Sequence, residues 1–369
     1  MSVSERKKIE GAEGKGVKLP QFEHGGEIYK LKRLGMKGEV IDFSVNLNPL
    51  GPPKELMRLL RERLGEISRY PENRSESLRS KLARWLGVPE DCLIVSNGST
   101  QLIYAVCRAL RPRRVLILQP TFSEYERAAI RCGACISEIP LKADDGFKPR
   151  VEELIDRLRK VDMAFICNPN NPTGSLFERD LLLDLVRRFP EVVFVLDEAF
   201  IDFADRPSSL LGEAKGLMNL IVLRSPSKIL AVPGLRLGYA VSSPPLIGKL
   251  EDEIEVWSVN TLAQLAGGML PELGEFIEQS VKLVRREREF LRAELSKING
   301  MFPFPSQANF LLVRLKEISS RAVQMRLLER GFLIRECSNF KGLGEQFFRV
   351  SVRRREENEK LISALREVV

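Results

Sequence analysis

The chain has 369 residues, 44% of them hydrophobic and 29% charged, a composition that excludes extensive disorder. Since a single core stops growing at roughly 250–300 residues, this length indicates two domains. Lys and Arg outnumber Asp and Glu by 58 to 50, but the two signs interleave along stretches such as 285–289, which argues against a nucleic-acid partner.

The short apolar runs and the single histidine exclude further classes of protein. The longest apolar runs, such as 192–196, are far shorter than the ~20 residues of a membrane-spanning helix. Residues 1–16 are polar and lack the apolar stretch of a secretory signal, so we expect a cytoplasmic protein with no membrane partner. His24 is the only histidine, which excludes metal sites built from several histidines, and we predict no metal ligands.

From residue 50 to residue 240, helical stretches alternate with short β-rich runs. Pro52-Pro53 begins a stretch with leucines at helical spacing, and a second helical stretch ends at Gly87. Four apolar runs lack polar alternation, which predicts parallel strands buried on both faces: 115–118, 163–167, 192–196 and 220–223. We therefore predict an α/β fold with a mostly parallel sheet between helices. Ligands bind beyond the carboxyl ends of such strands.

The remainder of the chain predicts a second, smaller domain. An amphipathic stretch over 275–299 predicts a linker helix, and residues 304–369 predict a small α/β domain that includes a strand at 332–335. We divide the chain into an N-terminal arm that joins the small domain, a large ligand-binding domain, and the linker helix with the small C-terminal domain. These parts cover residues 1–45, 46–265 and 266–369.

Two polar segments that follow predicted strands are candidate anion sites. Ser99 and Thr100 lie between a strand and a helix, so their amides stand at a helix N-terminus, which attracts phosphate. A cap that serves only its own helix is the alternative. Ser225-Pro226-Ser227-Lys228 follows the run at 220–223, and Arg236 comes shortly after. A lysine at this place is poorly explained as a surface charge.

This second segment resembles a motif of the fold-type I pyridoxal-phosphate (PLP) aminotransferase superfamily, classes I and II. The motif is S-x-[ST]-K-x7-R-x-G, and Ser225 to Gly238 match it throughout. Two further segments match the superfamily in the correct order, 168–174 and 197–200, each after a predicted strand. The resemblance covers nearly the whole chain. It implies a large PLP-binding domain and a smaller C-terminal domain.

The resemblance implies the roles of three residues in the chemistry. Lys228 would hold PLP covalently, which a lysine does well when burial and nearby positive charge favour its neutral amine. Asp197 would face the pyridine nitrogen and keep it protonated. Asn171 would donate to the phenolate oxygen, with a plain turn residue as the alternative. Lys228 and Asp197 are therefore the predicted catalytic residues.

The resemblance also implies how the rest of the cofactor is held. Phe122 would stack on the ring, although core packing competes for any single phenylalanine. Tyr70 would reach the PLP phosphate of a neighbouring subunit, which implies a homodimer with the active site at the interface. The remaining phosphate ligands would be Ser99, Thr100, Ser225 and Arg236.

Two residues depart from the superfamily pattern. Phe200 stands where these aminotransferases usually have a tyrosine whose hydroxyl contacts the phenolate, so a transaminase site does not carry over unchanged. Pro226 within the lysine motif is also unusual. Neither departure touches the lysine, the carboxylate or the phosphate ligands, so we expect the cofactor to remain PLP.

Within the superfamily, the chain most resembles L-threonine-O-3-phosphate decarboxylases of cobalamin synthesis and, next, histidinol-phosphate aminotransferases. His24-Gly25-Gly26 and the segments 42–51, 257–260, 333–340 and 348–353 favour the decarboxylases. A PLP-fold protein without catalysis is disfavoured because Lys228, Asp197 and Asn171 are all present. The decarboxylase hypothesis predicts (R)-1-amino-2-propanol phosphate as product.

Either substrate is a small phosphorylated molecule, and the resemblance implies the residues that bind it. Arg349 would take the α-carboxylate, and His24 with Arg335 would take the phosphate through charge-assisted hydrogen bonds. A satisfied loop histidine and a surface ion pair are the alternatives for His24 and Arg335. Asn46, in the segment 42–51, is the fourth predicted substrate residue.

Overall fold

The computed structural model describes residues 24–36, 38–205 and 208–369. In this part of the chain, no helix is both long and apolar enough to cross a bilayer. The helices, in chain order, are α1 (Ile28–Arg33), α2 (Lys54–Glu62), α3 (Glu76–Leu86), α4 (Ser99–Leu110), α5 (Glu124–Arg131), α6 (Val151–Leu158), α7 (Arg179–Arg188), α8 (Leu211–Ala214), α9 (Pro244–Glu251), α10 (Thr261–Gly268), α11 (Gly274–Leu295), α12 (Ser320–Leu328) and α13 (Arg355–Val368).

The strands of the described ranges form three sheets. In chain order they are β1 (Ile41–Asp42), β2 (Leu93–Ser96), β3 (Arg114–Gln119), β4 (Cys135–Pro140), β5 (Met163–Cys167), β6 (Val193–Asp197), β7 (Leu220–Arg224), β8 (Gly238–Ser242), β9 (Met301–Pro303), β10 (Phe310–Leu315), β11 (Phe332–Leu333), β12 (Arg335–Glu336) and β13 (Phe347–Ser351).

The largest sheet has seven strands in the order β2-β8-β7-β6-β5-β3-β4. The strands from β7 to β4 pair in parallel, whereas β8 is antiparallel to both of its neighbours. The four apolar runs predicted as buried strands are β3, β5, β6 and β7, with bounds that agree within one residue. The predicted α/β fold with a mostly parallel sheet is therefore confirmed.

Successive residues of the central strands pack into different cores. Val195 packs with Leu102 and Tyr125 on one face of the sheet. Leu196 packs with Leu182 and other helix residues on the opposite face. Because helices cover both faces, these strands carry no polar alternation, and their polar neighbours are confined to the strand ends.

After the linker helix α11, a four-stranded antiparallel sheet has the order β12-β13-β10-β9. The single strand predicted at 332–335 is wrong, because the chain forms two short strands there that belong to different sheets. β11 pairs in parallel with β1, whereas β12 pairs with β13. The N-terminal segment supplies β1 as a partner for the first pair of residues, so the chain changes partner at Ile334.

We propose the three-part division 1–45, 46–265 and 266–369 for the domains. The arm's attachment to the small domain is supported by two hydrogen bonds of 2.8 Å at Phe43, whose amide donates to the Leu333 carbonyl and whose carbonyl accepts from the Ser351 amide. Residues 1–23 and 37 of the predicted arm lie outside the described residues.

Candidate active site

A cavity of about 950 Å³ opens between the polar ends of the central strands and the small domain. Ser99 and Ser225 are not among the lining residues, but both lie next to one. Ser99 directly precedes Thr100, and the Ser225 carbonyl accepts a hydrogen bond from the Lys228 amide at 3.1 Å. Tyr70 lies outside the cavity and is 80% exposed. The lining includes nine of the predicted site residues: His24, Asn46, Thr100, Phe122, Asn171, Lys228, Arg236, Arg335 and Arg349.

Lys228 lies in the turn that follows β7, with its side chain directed into the cavity. The pKa of its amine is lowered to about 8, by burial first and then by the positive charges of Arg236 and Arg349, against the opposing effect of Asp197. A substantial fraction of the amine is therefore neutral near physiological pH. A neutral amine is the form that condenses with an aldehyde.

This pKa gives a pH dependence for cofactor attachment. The neutral fraction of Lys228 grows as pH rises through about 8, so the rate of covalent PLP attachment to the apoprotein should rise from pH 6.5 and level off above pH 9. Stopped-flow absorbance on reconstitution measures this rate. An ordinary lysine has a pKa of 10.5, and a rate that climbs without levelling off to pH 10 would contradict the lowered value.

Asp197 ends β6 and is buried, with both carboxylate oxygens held. The Tyr125 hydroxyl donates to Oδ2 at 2.7 Å, and the Ala199 amide donates to Oδ1 at 3.0 Å. Burial raises the pKa of this carboxyl, whereas the two hydrogen bonds and the charge of Lys228 lower it. Asp197 is not among the residues that line the cavity, but its charge acts on Lys228, so a carboxylate whose ionisation depends on its hydrogen-bond donors lies close to the cavity.

The N-terminus of α4 and Arg236 form an anion cradle. Gly98 has φ 77°, and a Cβ at this residue would meet Nη2 of Arg236 at 2.6 Å, so the guanidinium lies directly against the backbone before Ser99. Gly238 is equally constrained, because its Cβ would meet the Ser99 amide nitrogen at 2.3 Å. Backbone amides and one cation therefore converge where the helix begins, an arrangement that binds phosphate.

Removing the cation of this cradle should weaken cofactor binding. A hydrogen bond to a charged group contributes about 1.5–3 kcal/mol, so Arg236→Ala should raise the dissociation constant for PLP by roughly 10- to 150-fold. Equilibrium titration of the apoprotein measures it. Arg159→Ala is the matched control, since Arg159 is exposed and, among the residues that the structure describes, forms its ion pair with Asp156 in its own helical turn, at 3.0 Å. An Arg236→Ala protein with wild-type affinity would remove Arg236 from the cradle.

Arg349 and Arg335 lie opposite each other on the paired strands β13 and β12. Arg349 donates to Asn171 Oδ1 and, at 2.8 Å, to the Ser44 carbonyl, and its guanidinium lies over the Phe310 ring. Arg335 donates to the Glu336 carbonyl and, at 2.7 Å, to Asn339 Oδ1. Two like charges on neighbouring strands repel, so a bound anion would stabilise the pair.

Burial lowers the pKa values of both arginines. The pKa of Arg349 is lowered to about 10, by burial above all and also by the charge of Arg335, against the opposing effects of Cys337 and Asp42. Among the described residues, no carboxylate lies within ion-pair distance of Arg349, so the guanidinium is available to a carboxylate of a substrate.

His24 enters the cavity from the N-terminal segment. Its Nε2 lies 3.5 Å from Oε1 of Glu124, and its ring centroid is 5.9 Å from that of Phe122. The Gly26 amide donates to Ser44 Oγ at 2.9 Å, which fixes the segment to the residues after β1. The histidine therefore faces a carboxylate in this structure and lies in the same cavity as the arginines.

Phe122, Phe200 and Tyr70 are in contrasting positions. Phe122 and Phe200 line the cavity, and the Phe200 ring packs edge-on against Phe310 with centroids 5.1 Å apart. Tyr70 instead lies beside Trp257, with ring centroids 4.7 Å apart, on the exposed surface. Tyr70 therefore makes no part of its own chain's cavity lining.

Sequence reasoning missed Tyr125 and Glu124. Tyr125 occupies a core position of α5, and Glu124 accepts from the Tyr104 hydroxyl at 2.6 Å as well as facing His24. Proximity of both residues to Phe122 in the sequence was the available signal. Their partners lie on other helices, strands and segments, so these contacts could be identified only from the structure.

The residues around the cavity fit PLP. Nε of Arg349 and Oδ1 of Asn46 are buried and have no hydrogen-bond partner among the described residues. An aldehyde requires a neutral amine, which Lys228 supplies, and a phosphate requires the cation and amides beside Gly98. A pyridine nitrogen requires a carboxylate such as Asp197. Each part of the cofactor therefore has a matching group.

Comparisons with known proteins agree with this site. The model of the family "Aminotransferase class I and II" matches residues 38–365. A threonine-phosphate decarboxylase from Salmonella typhimurium is 37% identical over 352 residues, which cover 94% of this chain and 96% of that protein. A histidinol-phosphate aminotransferase from Methanocaldococcus jannaschii is 31% identical and covers 91% of each chain. The crystal structure of L-threonine-O-3-phosphate decarboxylase from Porphyromonas gingivalis superposes with a TM-score of 0.81 at 30% identity, covering 88% of this chain and 98% of that one.

Proposed function

Because the chain belongs to the class I and II aminotransferase family, we propose that it is a PLP-dependent carboxy-lyase. The proposed reaction converts L-threonine O-3-phosphate to (R)-1-amino-2-propanol O-2-phosphate, a step of cobalamin biosynthesis. The relative with 37% identity is named a threonine-phosphate decarboxylase, and the histidinol-phosphate aminotransferase is less similar, at 31%. Transamination of histidinol phosphate is the alternative.

The arginine pair in the cavity is the observation that carries the proposal. Threonine phosphate has two anionic groups, a carboxylate and a phosphate, and the cavity presents Arg349 and Arg335 on neighbouring strands. Histidinol phosphate has a phosphate but no carboxylate, so in the alternative Arg349 would meet the phosphate in the amine half-reaction and a dicarboxylate in the second. For threonine phosphate, Arg349 would bind the carboxylate, and Arg335 with His24 would bind the phosphate, with Asn46 supplying its unpartnered Oδ1 to a donor of the substrate.

The residues of this chain divide the chemical work. When bound, PLP supplies an electron sink for the charge that develops at the substrate Cα as CO2 leaves. Lys228 holds the cofactor, and its Nζ is the candidate that afterwards delivers a proton to Cα. Asp197 keeps the proton on the ring nitrogen, and Ser99, Thr100, Ser225 and Arg236 hold the phosphate. Phe122 and Asn171 orient the ring.

The two candidate reactions differ in their need for an amino acceptor. PLP-loaded protein is given threonine phosphate with and without 2-oxoglutarate, and histidinol phosphate with 2-oxoglutarate. The proposal predicts turnover of threonine phosphate that does not depend on 2-oxoglutarate. Glutamate formation from histidinol phosphate, without turnover of threonine phosphate alone, would favour the aminotransferase.

Arg349 is expected to carry much of the specificity for a carboxylate substrate. Loss of one charge-assisted contact costs about 1.5–3 kcal/mol, so Arg349→Ala should lower kcat/KM for threonine phosphate by roughly 10- to 150-fold. Arg314→Ala is the matched control, because Arg314 lies on the adjacent strand β10 and pairs with the exposed Asp144 at 3.2 Å. Equal kcat/KM values for the Arg349→Ala and Arg314→Ala proteins would rule out the proposed contact.

A homodimer with Tyr70 at the partner's cofactor site is part of the proposal. Large apolar side chains are exposed around Tyr70, which is unusual for a free surface and typical of an interface. They include Leu64, Ile67, Val256 and Trp257, with exposed fractions of 47–64%. A cytoplasmic location is also proposed, and it is supported by six free cysteines, since disulfides are rare in that reducing compartment.

A further inference from the structure

Tyr125 forms a buried contact with the carboxylate at the end of β6. Its hydroxyl donates to Asp197 Oδ2 at 2.7 Å, and the residue is 1% exposed. Its ring is stacked on Phe165 with centroids 5.0 Å apart and meets the Phe122 ring edge-on at 5.7 Å. Because rings hold it on two sides, the hydroxyl has little freedom to turn away from Asp197.

Few groups in the surroundings favour the charged form of Asp197. The titratable groups that face it are Tyr125 from α5, Cys167 from the neighbouring strand β5, and Lys228 from the turn after β7. Burial raises the pKa of Asp197, and the Tyr125 hydroxyl is the strongest opposing influence, ahead of the Ala199 amide and Lys228. Cys167 remains a neutral thiol, because burial raises its pKa to about 12.

We propose that Tyr125 is a positioning residue that holds Asp197 ionised and fixed in direction before the cofactor binds. The carboxylate then meets the pyridine nitrogen already charged, so no proton has to be removed from a buried acid during loading. The proposal rests on PLP as the cofactor of the proposed function, but not on the identity of the substrate. Tyr125 acts through Asp197 and touches neither substrate nor cofactor in this role.

The test is the pH dependence of PLP affinity in apoprotein reconstitution. Protonation of Asp197 weakens binding, so affinity falls on the acid side of its titration. Loss of a hydrogen bond to a charged group worth about 1.5–3 kcal/mol corresponds to one to two pKa units, so Tyr125→Phe should move this acid limb up by about one to two pH units. Tyr239→Phe is the control for loss of a buried tyrosine hydroxyl, since Tyr239 is 3% exposed and interacts with Arg224.

A double variant distinguishes an effect of Tyr125 on Asp197 from an effect of Tyr125 on the stability of the fold. In an Asp197→Asn background there is no carboxyl to titrate, so adding Tyr125→Phe should leave the pH dependence of PLP affinity unchanged from that of Asp197→Asn alone. A Tyr125→Phe protein whose melting temperature falls while its acid limb coincides with that of wild type would overturn the proposal. Failure of the wild-type protein to bind PLP would instead contradict the proposed function.

A second variant applies if apo Tyr125→Phe does not fold. Site-specific replacement of Tyr125 by 3-fluorotyrosine keeps the ring and makes the hydroxyl a stronger donor. The acid limb should then move to lower pH than in wild type. An unchanged limb in this protein would overturn the proposal in the same way.

Discussion

Replacement of Lys228 by alanine is expected to abolish both covalent attachment of PLP and turnover. Three described lysines line the cavity, and Lys32 and Lys341 are exposed, whereas Lys228 is half-buried in the turn after β7. The proposed protonation of Cα also depends on the Nζ of Lys228. General acid and base catalysis alone accounts for about 10²–10⁴-fold in rate, so kcat should fall by at least that factor. Borohydride reduction followed by peptide mapping shows whether the cofactor is attached.

Two controls sharpen this expectation. Lys249→Ala removes an exposed lysine of α9 and should leave the rate and the labelled peptide unchanged. Lys228→Arg keeps the positive charge but cannot form the covalent link at neutral pH, so it should be as inactive as Lys228→Ala. A reduced cofactor found on any peptide that lacks Lys228 would show that the site is assigned to the wrong lysine.

Asp197→Asn should weaken PLP binding, as protonation of Asp197 does, but should retain PLP at saturating concentrations and lose most activity. A nearby carboxylate shifts the pKa of a cation by about 1–3 units, and an amide does not, so the protonated fraction of the ring nitrogen should fall by roughly 10- to 1000-fold. kcat should fall with it. Asparagine is close in size to aspartate and accepts one of the two hydrogen bonds, so the fold should persist, as circular dichroism can verify.

The comparison with Arg236→Ala tests the division of roles. Asp197→Asn should lower kcat more than affinity for PLP, whereas Arg236→Ala should lower affinity and recover most of its activity at saturating PLP. Exchanged phenotypes would show that the group assigned to the ring nitrogen and the group assigned to the phosphate are reversed.

Most strands and helix ends could be predicted from the sequence because they depend on residues within the same short segment. The run 163–167 lacks polar alternation because the strand is buried on both faces. Gly87 ends its helix with φ 66°, as its position in the sequence indicates. The split at Ile334 was not accessible in this way. It depends on pairing with β1, which lies almost three hundred residues away in the chain.

The same distinction holds for the site. Motifs located Lys228, Asp197 and Arg236 because each follows a recognisable strand. The contact of Tyr125 with Asp197 joins residues 72 positions apart, and that of Arg349 with Asn171 joins residues 178 positions apart. Tyr125 also occupies an apolar helix position, so its closeness to Phe122 in the sequence does not by itself distinguish its hydroxyl from that of a packing residue.

Release of CO2 from threonine phosphate labelled with carbon-13 in its carboxyl group tests the central claim most directly. PLP-loaded protein is incubated with this substrate alone, and labelled CO2 and aminopropanol phosphate are quantified by mass spectrometry. The account predicts one labelled CO2 for each molecule of substrate consumed, with no 2-oxo acid added. Retention of the label in the organic product, or consumption only when 2-oxoglutarate is present, would contradict it.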